Sequence, residues 1–145
     1  MALRLGQTLR DVLSAHPEVV TAWVFGSVAA GTARPDSDLD LAVIVRGAEG
    51  DRDALLLLSG ELERCSPSGR VDLVLVGTPE NEPGPILRHR ILRDGVLVKD
   101  DDPERRIDFE GRTTSEYLDW KPTHDIAMRS TLQGLRDRFT PQGHE

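Results

Sequence analysis

Residues 25–45 read FGSVAAGTARPDSDLDLAVIV, and the rest of the chain can be read outward from this stretch. It opens at the end of VVTAWVF, residues 19–25, a short β-branched and aromatic run that predicts a buried strand ending at the Gly26-Ser27 turn. A short helix and a second strand, 38–45, are expected to follow. Gly26 has no side chain, so a ligand phosphate can approach the backbone there. Ser27 would present a hydroxyl and an amide at the start of the short helix, which suits a triphosphate tail. Asp38 and Asp40 are two apart on a strand, and a period of two puts both carboxylates on one side. Adjacent anions at the mouth of an apolar strand are costly unless a divalent cation neutralises them. Hard oxygen ligands suit magnesium, with phosphate oxygens completing its shell.

Downstream, Leu55, Leu58, Leu62 and Cys65 trace a helical stripe, and VDLVLV, residues 71–76, reads as a third strand. Asp72 sits inside that apolar run and needs a partner. If the third strand pairs beside the second, Asp72 joins Asp38 and Asp40 as a third metal ligand and can take the proton from an attacking hydroxyl. Two ions bridged by these carboxylates would serve nucleotidyl transfer, with attack on an α-phosphate and departure of pyrophosphate.

The flanks are consistent with a compact domain. Leu5, Leu9, Val12 and Leu13 mark one face of a first helix that Pro17 closes. After the loop GTPENEPGP, residues 77–85, ILRHRILRDG predicts a helix with Gly95 at C′, and GVLVK predicts a short strand. Asp102 can cap the next helix, with Pro103 in its first position and Glu104 in its first turn. That helix is expected to reach about Trp120, where Pro122 interrupts it, and Met128, Leu132, Leu135 and Phe139 mark a final amphipathic helix. The division expected is an α/β domain over 1–102 and a helical segment over 103–145.

The motif Gly26-Ser27, Gly31, Asp38-x-Asp40 resembles that of the DNA polymerase beta-like nucleotidyltransferases. The small size and the stretch FEGRTTSEYLDWKP are more similar to the minimal nucleotidyltransferase (MNT) antitoxins that pair with HEPN-domain ribonuclease toxins. The resemblance covers nearly the whole chain. It implies a mixed β-sheet flanked by helices, ATP as substrate, two Mg2+ ions, and transfer of AMP to a tyrosine hydroxyl of the HEPN toxin, silencing it. By the same resemblance Gly26, Ser27 and Gly31 bind nucleotide, and Asp38, Asp40 and Asp72 are catalytic metal ligands. Ala30 stands where many relatives carry a basic residue. The alternatives within reach of the same motif are a non-catalytic antitoxin acting by occlusion and a small-molecule nucleotidyltransferase acting on an aminoglycoside-like alcohol. Little room remains in 145 residues for the separate acceptor domain the latter needs.

Composition narrows the classes further. Leu, Ile, Val and Phe make up 39 of 145 residues, enough to build a core and exclude wholesale disorder. A net charge of -7 gives no general attraction for a phosphate backbone, so direct nucleic-acid binding is not expected. The single cysteine, Cys65, excludes an internal disulfide, no run approaches a membrane span, and the charged N-terminus does not read as a signal peptide. A cytoplasmic protein is expected.

Other features carry less. Asp36, Asp38 and Asp40 open like a calcium loop, but Leu41 stands at the sixth position and Gly47 at the twelfth, where Gly and Glu are needed. Arg88, His89, Arg90 and Arg93 read as a solvated helix face. His16, His124 and His144 have no partner at metal-ligand spacing, and Cys65 reads as a core thiol. Phe109, Tyr117 and Trp120 fall on one helical face, and Ile107 and Leu118 on another. The aromatic face has no evident host in so small a domain and is expected to meet a partner.

Overall fold

In the computed structural model the described residues are 2–47 and 52–139, and side chains are described over 7–47, 52–121 and at Met128. Helix α1 (Ala2–Ser14) leads into strand β1 (Val19–Phe25), a one-turn helix α2 (Gly26–Ala30) and strand β2 (Leu39–Val45). Helix α3 (Arg52–Leu62) and a 3-10 turn at Glu63–Cys65 then cross to strand β3 (Val71–Leu75). A second 3-10 turn, Pro79–Asn81, precedes helix α4 (Pro85–Asp94), strand β4 (Val96–Asp100) and the long helix α5 (Pro103–Phe139). The sheet order is β3-β2-β1-β4, with β1 antiparallel to both of its neighbours and β2 parallel to β3. It is the mixed, helix-flanked α/β sheet expected from the sequence.

Strand alternation divides the core into two layers. Leu39, Leu41, Val43 and Val45 of β2 pack with Leu9, Val12 and Leu13 of α1 and with Leu58, Leu62 and Cys65 beyond β2. Ala42 and Ile44 face the other way, toward Trp23, Ile91 and Phe109. By the same period of two, Asp40 falls on the Ala42 and Ile44 side, and Asp72 on the side of Val74 and Val76. Each carboxylate thus lies on the face that α4 and α5 cover, at a strand end the helices do not seal.

Three local expectations change. The helix that Pro122 was to interrupt runs unbroken from Pro103 to Phe139, because an interior proline removes one backbone donor without obliging the helix to end. Asp102 caps its start, its carboxylate accepting from the Arg105 amide at 3.3 Å. Gly95 does follow α4, but its φ is -76°, not left-handed; a Cβ there would overlap the Ile91 carbonyl oxygen, so close approach is what requires glycine. The aromatic face of α5 packs at home, with Phe109 fully buried 5.4 Å from Trp23 and Tyr117 stacked on His89 at 3.6 Å. Among the described residues of α5, Ile107, Leu118 and Met128 are the large apolar side chains left exposed. The apolar stripe at Leu132, Leu135 and Phe139, the His124 side chain and His144 lie outside what is described.

The basic set on α4 is a solvated face only in part: Arg90 and Arg93 are exposed as expected, but Arg88 is not. Arg88 is 3% exposed, its Nη2 paired with Glu116, its Nη1 donating to Thr113 Oγ1 at 3.2 Å and its Nε to the Pro83 carbonyl at 2.9 Å. Glu82, whose side chain is equally buried, accepts from the Gly77 amide at 3.0 Å and from both Nη atoms of Arg112. This knot ties the segment after β3 to α4 and α5.

His16, buried below α1, is gripped on both sides, with Nδ1 2.8 Å from Glu18 and Nε2 2.6 Å from Glu61. Burial by itself would lower its pKa, but the two carboxylates outweigh that and hold it above the usual 6.5. The raised value means the stabilisation is complete below the unfolded pKa and is lost as pH climbs through the folded one. The thermal midpoint of the parent is therefore expected to fall more steeply above pH 6.5 than that of His16→Gln, a difference that paired melting curves would measure. Among the described residues no helix is long and apolar enough to cross a membrane.

Candidate active site

The candidate residues gather where the C-terminal end of β1 meets the N-terminal ends of β2 and β3. Antiparallel pairing sets Phe25 opposite Asp40, and parallel pairing sets Asp40 opposite Asp72. The sheet register therefore brings Gly26, Asp40 and Asp72 to one place from three segments. Asp38 lies just ahead of β2 and not within it, two residues before Asp40.

The loop between the Gly-Ser turn and the carboxylates explains their spacing. Gly31 ends α2 at φ +75°, a conformation that favours glycine, and nothing lies within 4 Å of where its Cβ would be. The Thr32 amide returns to the Ser27 carbonyl at 3.0 Å, and a turn from Arg34 to Ser37 then delivers Asp38 to the sheet. One helical turn, one reversal and one β-turn account for the separation.

Gly26 adopts φ +73°, and a Cβ on it would overlap Asp40 Oδ2. The space a side chain would take at this glycine is given to the Asp40 carboxylate. Gly26→Ala is expected to cost about 1–2 kcal/mol from the left-handed backbone alone and to push Asp40 out of position. Denaturant unfolding measures the first effect and a nucleotidyl-transfer assay the second.

Burial raises the pKa of Asp40, and the nearby charges of Asp72 and then Asp38 raise it further. A partly buried carboxylate beside two others is an unneutralised concentration of negative charge. Asp72 itself is exposed, on the edge strand. Asp38 is engaged elsewhere: its Oδ1 accepts from Ser68 Oγ at 2.8 Å and from Arg70 Nε at 2.9 Å. Among the described residues, no three His, Cys, Asp or Glu side chains are arranged to hold a metal ion as they stand. Ser68 and Arg70 were not legible as site residues. The only signal is SPSGR directly ahead of the third strand, and its meaning depends on the parallel register.

Solved structures share this fold. A chain from a toxin-antitoxin crystal structure with AMP-PNP is 20% identical and superposes with a TM-score of 0.65 over 88% of this chain and 98% of its own. A chain from the complex of tri-AMPylated Shewanella oneidensis HEPN toxin with MNT antitoxin gives 18%, 0.63, 91% and 99% for the same quantities. One from the MntA-HepT toxin-antitoxin structure gives 18%, 0.61, 90% and 98%. No curated protein matches the sequence. Residues 7–104 match the family described as polymerase beta, nucleotidyltransferase, a span that takes in every strand and the whole carboxylate-bearing end of the sheet. On that match, which covers about two thirds of the chain, the protein belongs to the polymerase beta nucleotidyltransferase family.

Proposed function

We propose that this chain is an antitoxin that transfers AMP from ATP to a tyrosine hydroxyl of a cognate HEPN-domain toxin and so neutralises it in the cytoplasm. The observation that carries the reading is the register pairing Asp40 with Asp72 directly beside the Gly26-Ser27 turn. Support for the partner comes from the solved relatives, which are toxin-antitoxin complexes, one with a tri-AMPylated HEPN toxin and one with AMP-PNP.

In this reading the turn at Gly26 and Ser27 receives the triphosphate, with Gly31 fixing the turn's far end. Asp38, Asp40 and Asp72 would hold magnesium. Their hard oxygens and the raised pKa of Asp40 fit a divalent cation, provided Asp38 turns from its present partners. Bound there, magnesium would neutralise the carboxylates and polarise the α-phosphate. The tyrosine oxygen bonds to the α-phosphorus, its proton passes to Asp72, and the bond to the bridging oxygen breaks to release pyrophosphate. The exposed Ile107 and Leu118 on α5 offer apolar contact for the toxin.

The test is co-expression of the adjacent open reading frame's product with this protein or with Asp38→Asn, followed by intact mass spectrometry of the partner. A mass increase of one or more AMP units, seen only with the parent, is expected. An unshifted partner that still co-purifies and is still silenced would replace transfer by occlusion.

A further inference from the structure

We infer that Arg70 and Ser68 form a latch that holds Asp38 out of the metal site until a divalent cation displaces them. The inference deepens the reading above and rests on its metal ligands. Both donors converge on one oxygen, Asp38 Oδ1, at 2.9 and 2.8 Å, and Arg70 Nη2 also donates to the Asp36 carbonyl at 3.2 Å. The guanidinium thus bridges the loop entering β2 and the residue just ahead of β3.

Charge and geometry agree on the direction of the effect. The guanidinium supplies the positive charge that Asp38 would otherwise receive from a metal ion, so the two cations compete for one carboxylate. With Asp38 so engaged, the three aspartates do not make a metal-holding group, although Asp40 and Asp72 are paired by the sheet. The Arg70 and Asp38 side chains are 67% and 44% exposed, so the pair is solvent-screened and weak enough for an incoming ion to break. Ser68 adds a neutral donor from a chain reversal, its amide bonded to the Ser37 carbonyl at 3.0 Å, which keeps the hydroxyl close to Asp38. The latch is therefore a positioning device: it acts on the reaction only through Asp38.

Mn2+ titration of the full chain, followed by electron paramagnetic resonance of the free ion, tests this without any transfer assay. Arg70→Ala is expected to bind Mn2+ up to about fivefold more tightly than the parent, the most a screened ion pair supplies. Ser68→Ala, which keeps the charge, is expected to tighten binding by less, and it carries the test if Arg70→Ala does not fold. Asp38→Asn is expected to weaken binding. Affinity in Arg70→Ala and Ser68→Ala equal to or weaker than the parent's, with Asp38→Asn still weakened, would overturn the latch and leave the metal reading standing. Mn2+ affinity unaffected by Asp38→Asn, or binding absent from every protein, would overturn the metal assignment and the latch with it.

Discussion

Asp40→Asn is expected to abolish nucleotidyl transfer, by at least about 10³-fold, while raising the thermal midpoint of the protein without metal by about 2–4 °C. The loss follows if Asp40 is a metal ligand, because an amide cannot supply the charge that holds the cation and lets it stabilise the reacting phosphate. The gain follows from the structure of the free site. Burial, then Asp72, then Asp38 raise the Asp40 pKa, so its ionised form is penalised in the folded state relative to the unfolded chain. A raised carboxylate value makes folding less favourable as pH rises through the interval between the unfolded and folded values, and the penalty persists at neutral pH. Asparagine has nearly the same shape and none of the charge. Paired melting curves at pH 7 and pH 4 check the sign: the advantage of the variant should shrink at the lower pH. Lower stability of Asp40→Asn at neutral pH would show that the carboxylate is held by favourable contacts and is not a strained element of a functional site.

Glu82→Gln is expected to destabilise the fold by about 3–5 kcal/mol, as when one partner is removed from a buried charge pair. Arg88 has almost no access to water, and its Nη1 stands 3.5 Å from Glu82 Oε1, while both Nη atoms of Arg112 donate to the same carboxylate. Glutamine keeps the volume but leaves Arg88 with Glu116 as its remaining carboxylate partner, at the half-exposed edge of the cluster. Burial tends to raise the Glu82 pKa, but the Arg112 hydrogen bonds, the Gly77 amide and the arginine charges outweigh it, and the net value is lowered. Stability from this group is therefore full above its unfolded value and disappears as pH falls through the lower folded one. Urea unfolding at pH 7 and pH 3 would measure both parts. A loss under 1 kcal/mol at pH 7 would mean that water reaches Arg88 after all.

The sequence made the sheet's strands and their ends legible because β1, β2 and β3 are short apolar runs closed by glycine, charge or proline. It also led to Asp72 through its isolation in such a run, and the parallel register brings that residue opposite Asp40. What escaped was every feature requiring contact between distant segments. Arg88 reads as one more charge on a helix until Glu82, six residues earlier, and Glu116, on another helix, close around it. Of the two carboxylates that grip His16, Glu18 is two residues away but Glu61 is 45 residues away, so the closed grip is not visible along the chain. The aromatic side of α5 reads as surplus because periodicity gives a face but not its host, and Trp23 and His89 provide that host.

The position of β3 at the edge of the sheet carries one more consequence. Asp72 belongs to a strand with a single hydrogen-bonded neighbour and mostly half-exposed side chains, whereas β1 is buried along its whole length. Local unfolding begins where few apolar contacts oppose it, so detachment of β3 is the least costly opening that separates Asp72 from Asp40. Backbone amides of β3 should then exchange with solvent ahead of those of β1 and β2, and the carboxylate pair would exist only in the fraction of molecules whose sheet edge is closed.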